Sequence, residues 1–245
     1  MAEKPSTRKR GARKGAADQA ARRGWRWLLR WGLRGAGVAV LLVLGWILLL
    51  ALVAPPRNLY MRSEAARLGG ISYDWADWDE IAPVMARSIV AAEDANYCLH
   101  WGFDMAAIRQ ALDQGGNRGA STISQQVVKN VFLWHGRSWT RKALEAGLTP
   151  VVETFWSKRR ILEVYMNVAE FDEGVFGVRA AAAHYFKVTP DKLTPTQAAR
   201  LAMVLPDPKA RSAARPSDWQ RRRTAGIIDG AQTIAVDGRA ACFEG

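Results

Sequence analysis

An uncharged run of twenty residues limits the folds open to this chain more than any other feature. It covers residues 35–54 and reads GAGVAVLLVLGWILLLALVA. A helix of this length spans roughly 30 Å, the thickness of the hydrocarbon core of a bilayer. A buried helix of a soluble protein and a cleaved signal peptide are the alternatives, but the apolar region of a signal peptide is normally about 7–15 residues. We therefore predict an uncleaved transmembrane helix over residues 35–54.

Basic residues are concentrated before this run. Residues 1–34 contain eleven Lys or Arg and two acidic side chains, so they carry +9 of the net charge of +12. Under the positive-inside rule, this charge places the N-terminus in the cytoplasm and residues 55–245 in the periplasm. Small, polar and basic residues cannot bury a core, so residues 1–34 are predicted to be a disordered cytoplasmic tail. Because topology explains the excess charge, we do not expect nucleic-acid binding.

Both cysteines, Cys98 and Cys242, fall in the part of the chain that is expected outside the cytoplasm. A bacterial periplasm is oxidising, and disulfides persist there. A Cys98–Cys242 disulfide would tie the C-terminal tail to the acidic segment described below. Two free thiols are the alternative, since spacing alone does not show that the residues meet.

The chain after the apolar run divides into three parts. Residues 55–78 form a connector that opens on two prolines and contains a glycine pair, so we expect an irregular, partly packed segment. Residues 79–210 form the predicted domain, and residues 211–245 are a C-terminal tail without an assigned motif. No convincing alternating strand pattern occurs before residue 230, so the domain is predicted to be mainly α-helical.

Apolar periodicity and capping residues locate the individual helices. An apolar stripe with spacings of three and four leads to Glu93 and consists of Ile81, Val84, Met85 and Ile89. Asp104 is a suitable N-cap for the next helix, and Ser121 is one for a helix that runs to about residue 132. Thr194 precedes a later helix whose first residue is a proline. The other predicted helices cover residues 138–156, 158–169 and 174–186.

An acidic pair, Glu93 and Asp94, closes the first of these helices. The surrounding stretch, residues 91–104, reads AAEDANYCLHWGFD and adds aromatic residues, a histidine and a glycine. A solvated helix end is the ordinary interpretation of such a pair. The aromatic and apolar neighbours are unusual for a solvated end, because enclosure by such groups desolvates a carboxylate and raises its pKa.

A polar stretch, residues 119–130, follows and reads GASTISQQVVKN. In a helix, Thr122, one of the two glutamines and Lys129 lie on one face, because their spacing is close to two helical turns. An exposed amphipathic helix is the alternative. An exposed face usually mixes charges of both signs, however, whereas a hydroxyl, an amide and an ammonium group are donors for an oxyanion.

A third block pairs Arg141 with Glu145 four residues later. The ordinary interpretation is an i,i+4 ion pair that contributes about 0.3 kcal/mol. Paired carboxylates suit proton transfer to and from sugar hydroxyls, and cations suit a diphosphate leaving group. Together with the predicted anchor, these groups indicate a lipid-linked sugar substrate.

Five motifs in this order resemble the peptidoglycan glycosyltransferase family. They are ED-x-x-aromatic-x-x-H-x-G from Glu93, GASTISQQ-x-x-KN from Gly119, RK-x-x-E from Arg141, K-x-x-IL-x-x-Y-x-N from Lys158 and LP-x-P from Leu205. The resemblance covers roughly residues 80–208. It implies a lysozyme-like, mainly α-helical glycosyltransferase domain behind a single transmembrane helix. The monofunctional form is the better match, because the chain is too short to hold a transpeptidase domain as well.

The resemblance also implies a role for each matching residue. Glu93 matches the catalytic base, which takes the proton from the acceptor hydroxyl, and Glu145 matches a second carboxylate near the leaving group. The residues that would bind the pyrophosphate and sugar are Thr122, Gln126, Lys129, Asn130 and Arg141. Those that would orient the loop are Asp94, His100 and Gly102.

The implied activity is polymerisation of lipid II into β-1,4-linked glycan with inversion and release of undecaprenyl diphosphate. No cofactor is required, although a divalent cation such as Mg²⁺ shares the pyrophosphate charge in some members, and the sequence shows no dedicated metal site. The partners are lipid II, the lipid-linked growing glycan and the cell inner membrane, with cell-wall synthesis or division proteins as candidates. A membrane-anchored lysozyme-like hydrolase and a noncatalytic membrane adaptor are the alternatives. Cations placed for a diphosphate disfavour the hydrolase, and the full set of site residues disfavours the adaptor.

Overall fold

The computed structural model describes residues 8–115, 121–136 and 138–245, with side chains from residue 24 onward. These residues form two compact units, one up to Leu49 and one from Leu50 to Gly245.

The described part of the first unit is the helix α1 (Arg8–Leu50) without its last residue. Within the described part of the chain, its segment Gly24–Leu50 is the one helix long and apolar enough to cross a membrane, which is compatible with a single anchor. The helix ends before residue 54, the predicted end of the span. The structure has a helix from Arg8 onward, within the segment for which the sequence predicted a disordered tail (residues 1–34). The alanines and arginines of this segment are strong helix formers. Residues 1–7 lie outside the described residues.

The second unit is mainly helical, as predicted. Its helices are α2 (Leu59–Leu68), α3 (Pro83–Glu93), α4 (Met105–Asp113), α5 (Ile123–Phe132), α6 (Trp139–Phe155), α7 (Lys158–Val168), α8 (Val178–Phe186), α9 (Pro195–Val204), α10 (Asp218–Val236) and α11 (Ala241–Glu244). A 3₁₀ turn over Tyr97–Leu99 follows α3.

Capping residues fix several of these helix starts. Oδ1 of Asp104 accepts the N–H of Ala107 at 2.9 Å, as expected for the N-cap of α4. Thr194 caps α9 in a capping box with Gln197. The predicted cap at Ser121 is wrong by one residue, since the side chain of Thr122 accepts the N–H of Gln125 in the first turn of α5.

A small sheet was not predicted. It consists of β1 (Ser72–Tyr73), β2 (Glu170–Asp172) and β3 (Val175–Phe176), with β3 in the middle, parallel to β1 and antiparallel to β2. Strands of two or three residues are too short for an alternating pattern to show in the sequence. The helix predicted over 174–186 therefore begins only at Val178, and the connector contributes α2 and β1 instead of an irregular segment.

Two helix groups build the core. One is α3 packed against α9 and α10, and the other is α5 packed against α6 and α7. Met85 and Ile89 of α3 and Val127 and Val128 of α5 are fully buried in these contacts. Hydrogen bonds described below join the end of α3 to the start of α5, which places Glu93 between the two groups.

Candidate active site

The carboxylate of Glu93 lies at the C-terminal end of α3, within reach of α5. Its Oε2 accepts a hydrogen bond of 2.8 Å from Nε2 of Gln126. The Oε1 of Gln126 in turn accepts a hydrogen bond of 3.3 Å from the hydroxyl of Tyr165 on α7. Three helices therefore fix the orientation of one carboxylate. Glu93 also lines a cavity of about 340 Å³.

Burial raises the pKa of Glu93, and the neighbouring carboxylate of Asp94 adds to the rise. The hydrogen bond from Gln126 and the positive charges of Arg223 and Arg211 act in the opposite direction. The result is a carboxylate that binds a proton more readily than an exposed glutamate does. A general base at near-neutral pH needs this property.

Asp94 connects the loop after α3 to the start of α5. Its buried side chain accepts the N–H of Ile123 at Oδ2 with a distance of 3.0 Å. Its Oδ1 lies 2.8 Å from Nε2 of His100. A carboxylate at a helix N-terminus also interacts favourably with the helix dipole. Both carboxylate oxygens of Asp94 are thus engaged in holding the loop in place.

Thr122 and Gly102 join the same loop to α5. The hydroxyl of Thr122 donates to the carbonyl oxygen of Gly102 at 2.7 Å, and it accepts the N–H of Gln125 at 3.3 Å. The side chain of Gln125 accepts the N–H of Thr122, which completes a capping box. Gln125 is thus engaged in the capping box, and Gln126 is the glutamine that contacts Glu93.

Replacement of Gly102 by alanine is expected to lower the free energy of unfolding by about 3 kcal/mol, through backbone strain and overpacking. Gly102 has a φ of +84°, and a Cβ here would lie 2.6 Å from Cγ2 of Thr149 and 3.2 Å from Cγ of Glu153. Gly69→Ala is the matched control, because Gly69 has a φ of +75° but open space around its Cβ position. The control should lose only about 1 kcal/mol. Equal losses in urea titrations would refute the steric explanation.

A second cavity, of about 180 Å³, is lined by Gln126, Lys129 and Asn130 of α5. Burial lowers the pKa of Lys129, and the positive charges of Arg141 and Lys142 act in the same direction. The carboxylates of Glu145 and Glu93 oppose this shift. A poorly hydrated ammonium group in such a cavity gains most when an anionic ligand replaces the missing water.

Three charged side chains of α6 form an ion cluster. Nη1 of Arg141 lies 2.7 Å from Oε2 of Glu145, while Nζ of Lys142 contacts Oε1 of the same carboxylate. Only 3% of the surface of Glu145 is exposed. The carbonyl oxygen of Gly136 accepts a further hydrogen bond of 2.8 Å from Nε of Arg141. Since cations engage both of its oxygens, Glu145 fixes the positions of two positive groups near Lys129.

This arrangement combines a sheltered carboxylate with a cluster of cations, as glycosyl transfer from a diphosphate requires. A family model described as Transglycosylase matches residues 63–231, more than half of the chain. The chain belongs to the transglycosylase family. It is a glycosyltransferase, and this confirms the enzyme class predicted from the motifs.

Several relatives of this transglycosylase carry the name biosynthetic peptidoglycan transglycosylase. The protein from Jannaschia sp. (strain CCS1) is 61% identical over 218 residues, which cover 89% of this chain and 90% of the relative. The protein from Xanthomonas campestris pv. campestris (strain B100) is 47% identical over 229 residues, with coverages of 89% and 92%. The protein from Escherichia coli O127:H6 is 55% identical over 160 residues, or 63% of this chain and 66% of the relative.

The structure of the transglycosylase adds side chains that the motif interpretation did not select. Tyr165 holds Gln126, and Lys142 shares Glu145 with Arg141, although both residues stand inside quoted motifs. His135 also lines the second cavity and stacks on the ring of Tyr60 with centroids 3.9 Å apart. Burial lowers the pKa of His135 to about 4. No signal in the sequence places a histidine and a tyrosine so far apart in the chain at one cavity.

The C-terminal region also reaches the site. Cys98 and Cys242 are joined by a disulfide with an Sγ–Sγ distance of 2.00 Å. Arg223 of α10 lines the same cavity as Glu93. The family match likewise extends beyond residue 210, the last residue of the predicted domain, to residue 231.

Proposed function

We propose that this transglycosylase polymerises lipid II into uncrosslinked β-1,4-linked glycan strands, without transpeptidase activity. The 4-hydroxyl of N-acetylglucosamine in lipid II attacks C1 of N-acetylmuramic acid at the reducing end of the lipid-linked glycan. A new C–O bond forms at C1 while the bond to the diphosphate breaks with its electron pair. Undecaprenyl diphosphate leaves, and C1 is inverted. The names of the relatives support a peptidoglycan substrate, and the sheltered Glu93 beside Gln126 carries the proposal.

Glu93 accepts the proton of the attacking hydroxyl in this mechanism. Gln126 holds its Oε2 at 2.8 Å, so the proton passes to Oε1. Burial supports the transfer because it raises the pKa of Glu93. Asp94, His100 and Gly102 keep the loop after α3 in place and take no part in the proton transfer.

Lys129 and Arg141 bind the diphosphate of the donor, with Thr122, Gln126 and Asn130 in support. The buried ammonium group of Lys129 lacks much of its hydration, so a diphosphate oxygen is a favourable partner. Thr122 contributes through the capping box at the start of α5, which sets the direction of that helix.

Glu145 assists at the leaving group through its two cations. Its carboxylate holds Arg141 at 2.7 Å and also contacts Lys142. Positioned cations stabilise the negative charge that develops on the diphosphate as the C1–O bond breaks. Removal of Glu145 would release both cations together.

The side chains at this cluster do not fit a protein-held divalent cation. Magnesium prefers carboxylate and carbonyl oxygens, but cations already engage both oxygens of Glu145. Within the part of the chain that the structure describes, no three His, Cys, Asp or Glu side chains converge. In the proposed chemistry, the cations of the chain itself cover the diphosphate.

We infer a single-pass protein of the cell inner membrane, with a cytoplasmic N-terminus and a periplasmic catalytic domain. The positive residues before the apolar segment of α1 support this orientation. The lipid-linked substrates share the same membrane, so the anchor keeps the active site close to them. The apolar part of α1, up to Leu50, would span the bilayer. The chain that follows would lead directly into the catalytic domain, since the family match already begins at residue 63. Cell-wall synthesis or division proteins are the expected protein partners.

A product assay tests this function. Full-length protein in detergent is expected to convert lipid II into glycan polymer and undecaprenyl diphosphate, and to release no soluble fragments from isolated sacculi. A membrane-anchored lysozyme-like hydrolase would release soluble fragments from sacculi and would form no polymer from lipid II. Chromatography of both reactions, with radiolabelled lipid II, separates the two outcomes, and fragment release without polymer would overturn the proposal.

A further inference from the structure

The segment after α9 returns to the end of α3 that carries Glu93. The helix α10 packs along both α3 and α9. Nη2 of Arg223 on α10 donates to the carbonyl oxygen of Ala92 at 3.0 Å. Nη1 of Arg239, beyond the end of α10, donates to the carbonyl oxygen of Ala95 at 3.1 Å. These two carbonyls stand on either side of Glu93 and Asp94.

The last residues of the chain add a covalent link to the same loop. The Cys98–Cys242 disulfide joins α11 to the 3₁₀ turn that begins three residues after Asp94. Beside it, Phe243 is 1% exposed, and its ring lies 6.3 Å from that of Tyr97.

One ion pair and one hydrogen bond hold α11 on the domain. Nε of Arg87, on α3, lies 2.9 Å from Oε1 of Glu244. Nε of Arg159, on α7, donates to the carbonyl oxygen of Phe243 at 2.9 Å. The segment is therefore fixed both to α3 and to the helix that carries Tyr165.

We propose that Arg223, Arg239 and Cys242 form a C-terminal clamp that positions the catalytic base. The clamp holds the backbone on both sides of Glu93, so that its carboxylate keeps the direction needed for proton transfer. The proposal rests on the proposed role of Glu93. Arg223, Arg239 and Cys242 are positioning residues, since they act on the reaction through the loop that carries the base.

Physical reasons favour a role beyond general stability. The carbonyls at a helix C-terminus lack intrahelical partners, so a guanidinium that binds them sets the direction in which the chain leaves the helix. Catalytic groups need placement within about 0.5 Å, and a misplacement of about 1 Å can cost 100-fold in rate. Three separate links to one seven-residue stretch give that kind of restraint.

The clamp is tested with Arg239→Gln and with the double variant Cys98→Ser/Cys242→Ser, measured beside Glu93→Gln. We expect each clamp variant to lower kcat for lipid II by about 10-fold, with KM changed by less than about 2-fold. Arg222→Gln is the matched control, because Arg222 is an exposed neighbour on α10, and its kcat should not change. If the double variant does not fold, Arg239→Gln decides the outcome alone.

Reduction of the Cys98–Cys242 disulfide in the wild-type protein is an independent test of the clamp. A dithiol reductant transfers two electrons and two protons to the disulfide, which becomes the two thiols of Cys98 and Cys242 while the reductant closes to its own disulfide. The wild type should then lose kcat to the level of the double cysteine variant. The double variant itself should not respond to the reductant.

The pH profile of kcat distinguishes positioning from simple loss of stability. The charged or titratable groups that face Glu93 are Asp94, Lys129, Tyr165, Arg211 and Arg223. Arg223 holds the pKa of Glu93 down against burial, so Arg223→Gln should move the acidic limb of the profile to higher pH. Arg223→Lys should restore the limb, and Arg222→Gln should leave it unchanged.

The outcomes separate this inference from the proposed function. Wild-type kcat in the clamp variants, with an inactive Glu93→Gln, would overturn the clamp and leave the base in place. Lower melting temperatures with unchanged kcat and unchanged pH limb would show that the contacts are structural only, which also overturns it. Turnover by Glu93→Gln would remove the base assignment and the clamp proposal together.

Discussion

Glu93→Gln is expected to reduce polymerisation of lipid II by about 10²–10⁴-fold, the contribution typical of a general base. Glutamine has nearly the same shape and can still accept the hydrogen bond of 2.8 Å from Gln126, but its amide cannot take the proton of the acceptor hydroxyl. Binding of lipid II should change little, because the residues proposed to bind the diphosphate lie on α5 and α6. Single-turnover polymerisation and equilibrium binding of lipid II, measured on the same preparation, test both statements. Glu173→Gln is the control at a half-exposed glutamate, and substantial turnover by the Glu93 variant would refute the assignment.

The same substitution should stabilise the folded protein at neutral pH. The folded state raises the pKa of Glu93 through burial, so folding is disfavoured wherever this carboxyl is ionised in the unfolded chain. That penalty is absent below the usual pKa of glutamate and grows as the pH rises toward the folded pKa. The melting temperature of Glu93→Gln should therefore exceed that of the wild type at pH 7, and the difference should disappear at pH 4. A lower melting temperature at pH 7 would show that the carboxylate is stabilised in place.

Much of the helical architecture is visible in local sequence. The bounds of α3, α4 and α9 follow from an apolar stripe and from caps at Asp104 and Thr194, because capping and periodicity act within a few residues. The start of α5 was predicted one residue too early, since Ser121 and Thr122 are both suitable caps. The sheet escapes prediction because β1 pairs with β3 across about a hundred residues, and such pairing leaves no mark on strands so short.

The candidate site was likewise predicted from the sequence only in part. Glu93, Lys129 and Glu145 stand in the motifs that resemble the family, so the sequence selects them as candidates. Arg223 and His135 do not, because their relevance depends on which helix packs beside which cavity. The pairing of Cys98 with Cys242 lies between these cases. Compartment and composition favour it, but only the packing of α11 on α7 brings the two residues together.

Lys129→Met is expected to lower kcat/KM for lipid II by about 10²–10³-fold, as loss of one charge-stabilising group does in comparable sites. The methionine keeps the length and apolar stem of lysine but removes the charge from the cavity that Gln126 and Asn130 also line. Lys129→Arg keeps a positive charge in a different shape, so it should lose less activity. Release of undecaprenyl diphosphate measures the effect, and the exposed Lys192→Met is the matched control.

Lys129→Met should lower activity without lowering the free energy of unfolding. Burial lowers the pKa of Lys129, so the folded state disfavours the ammonium form, and this penalty is present at every pH below the folded pKa. Lys129→Met should therefore unfold at the same or a higher urea concentration than the wild type at pH 7. A combined loss of stability and activity would instead mean that Lys129 holds the fold. Loss of activity with retained stability would support a role of the Lys129 ammonium group in binding the diphosphate. It would also show that this charge lowers the stability of the free protein, as is common for groups kept for function.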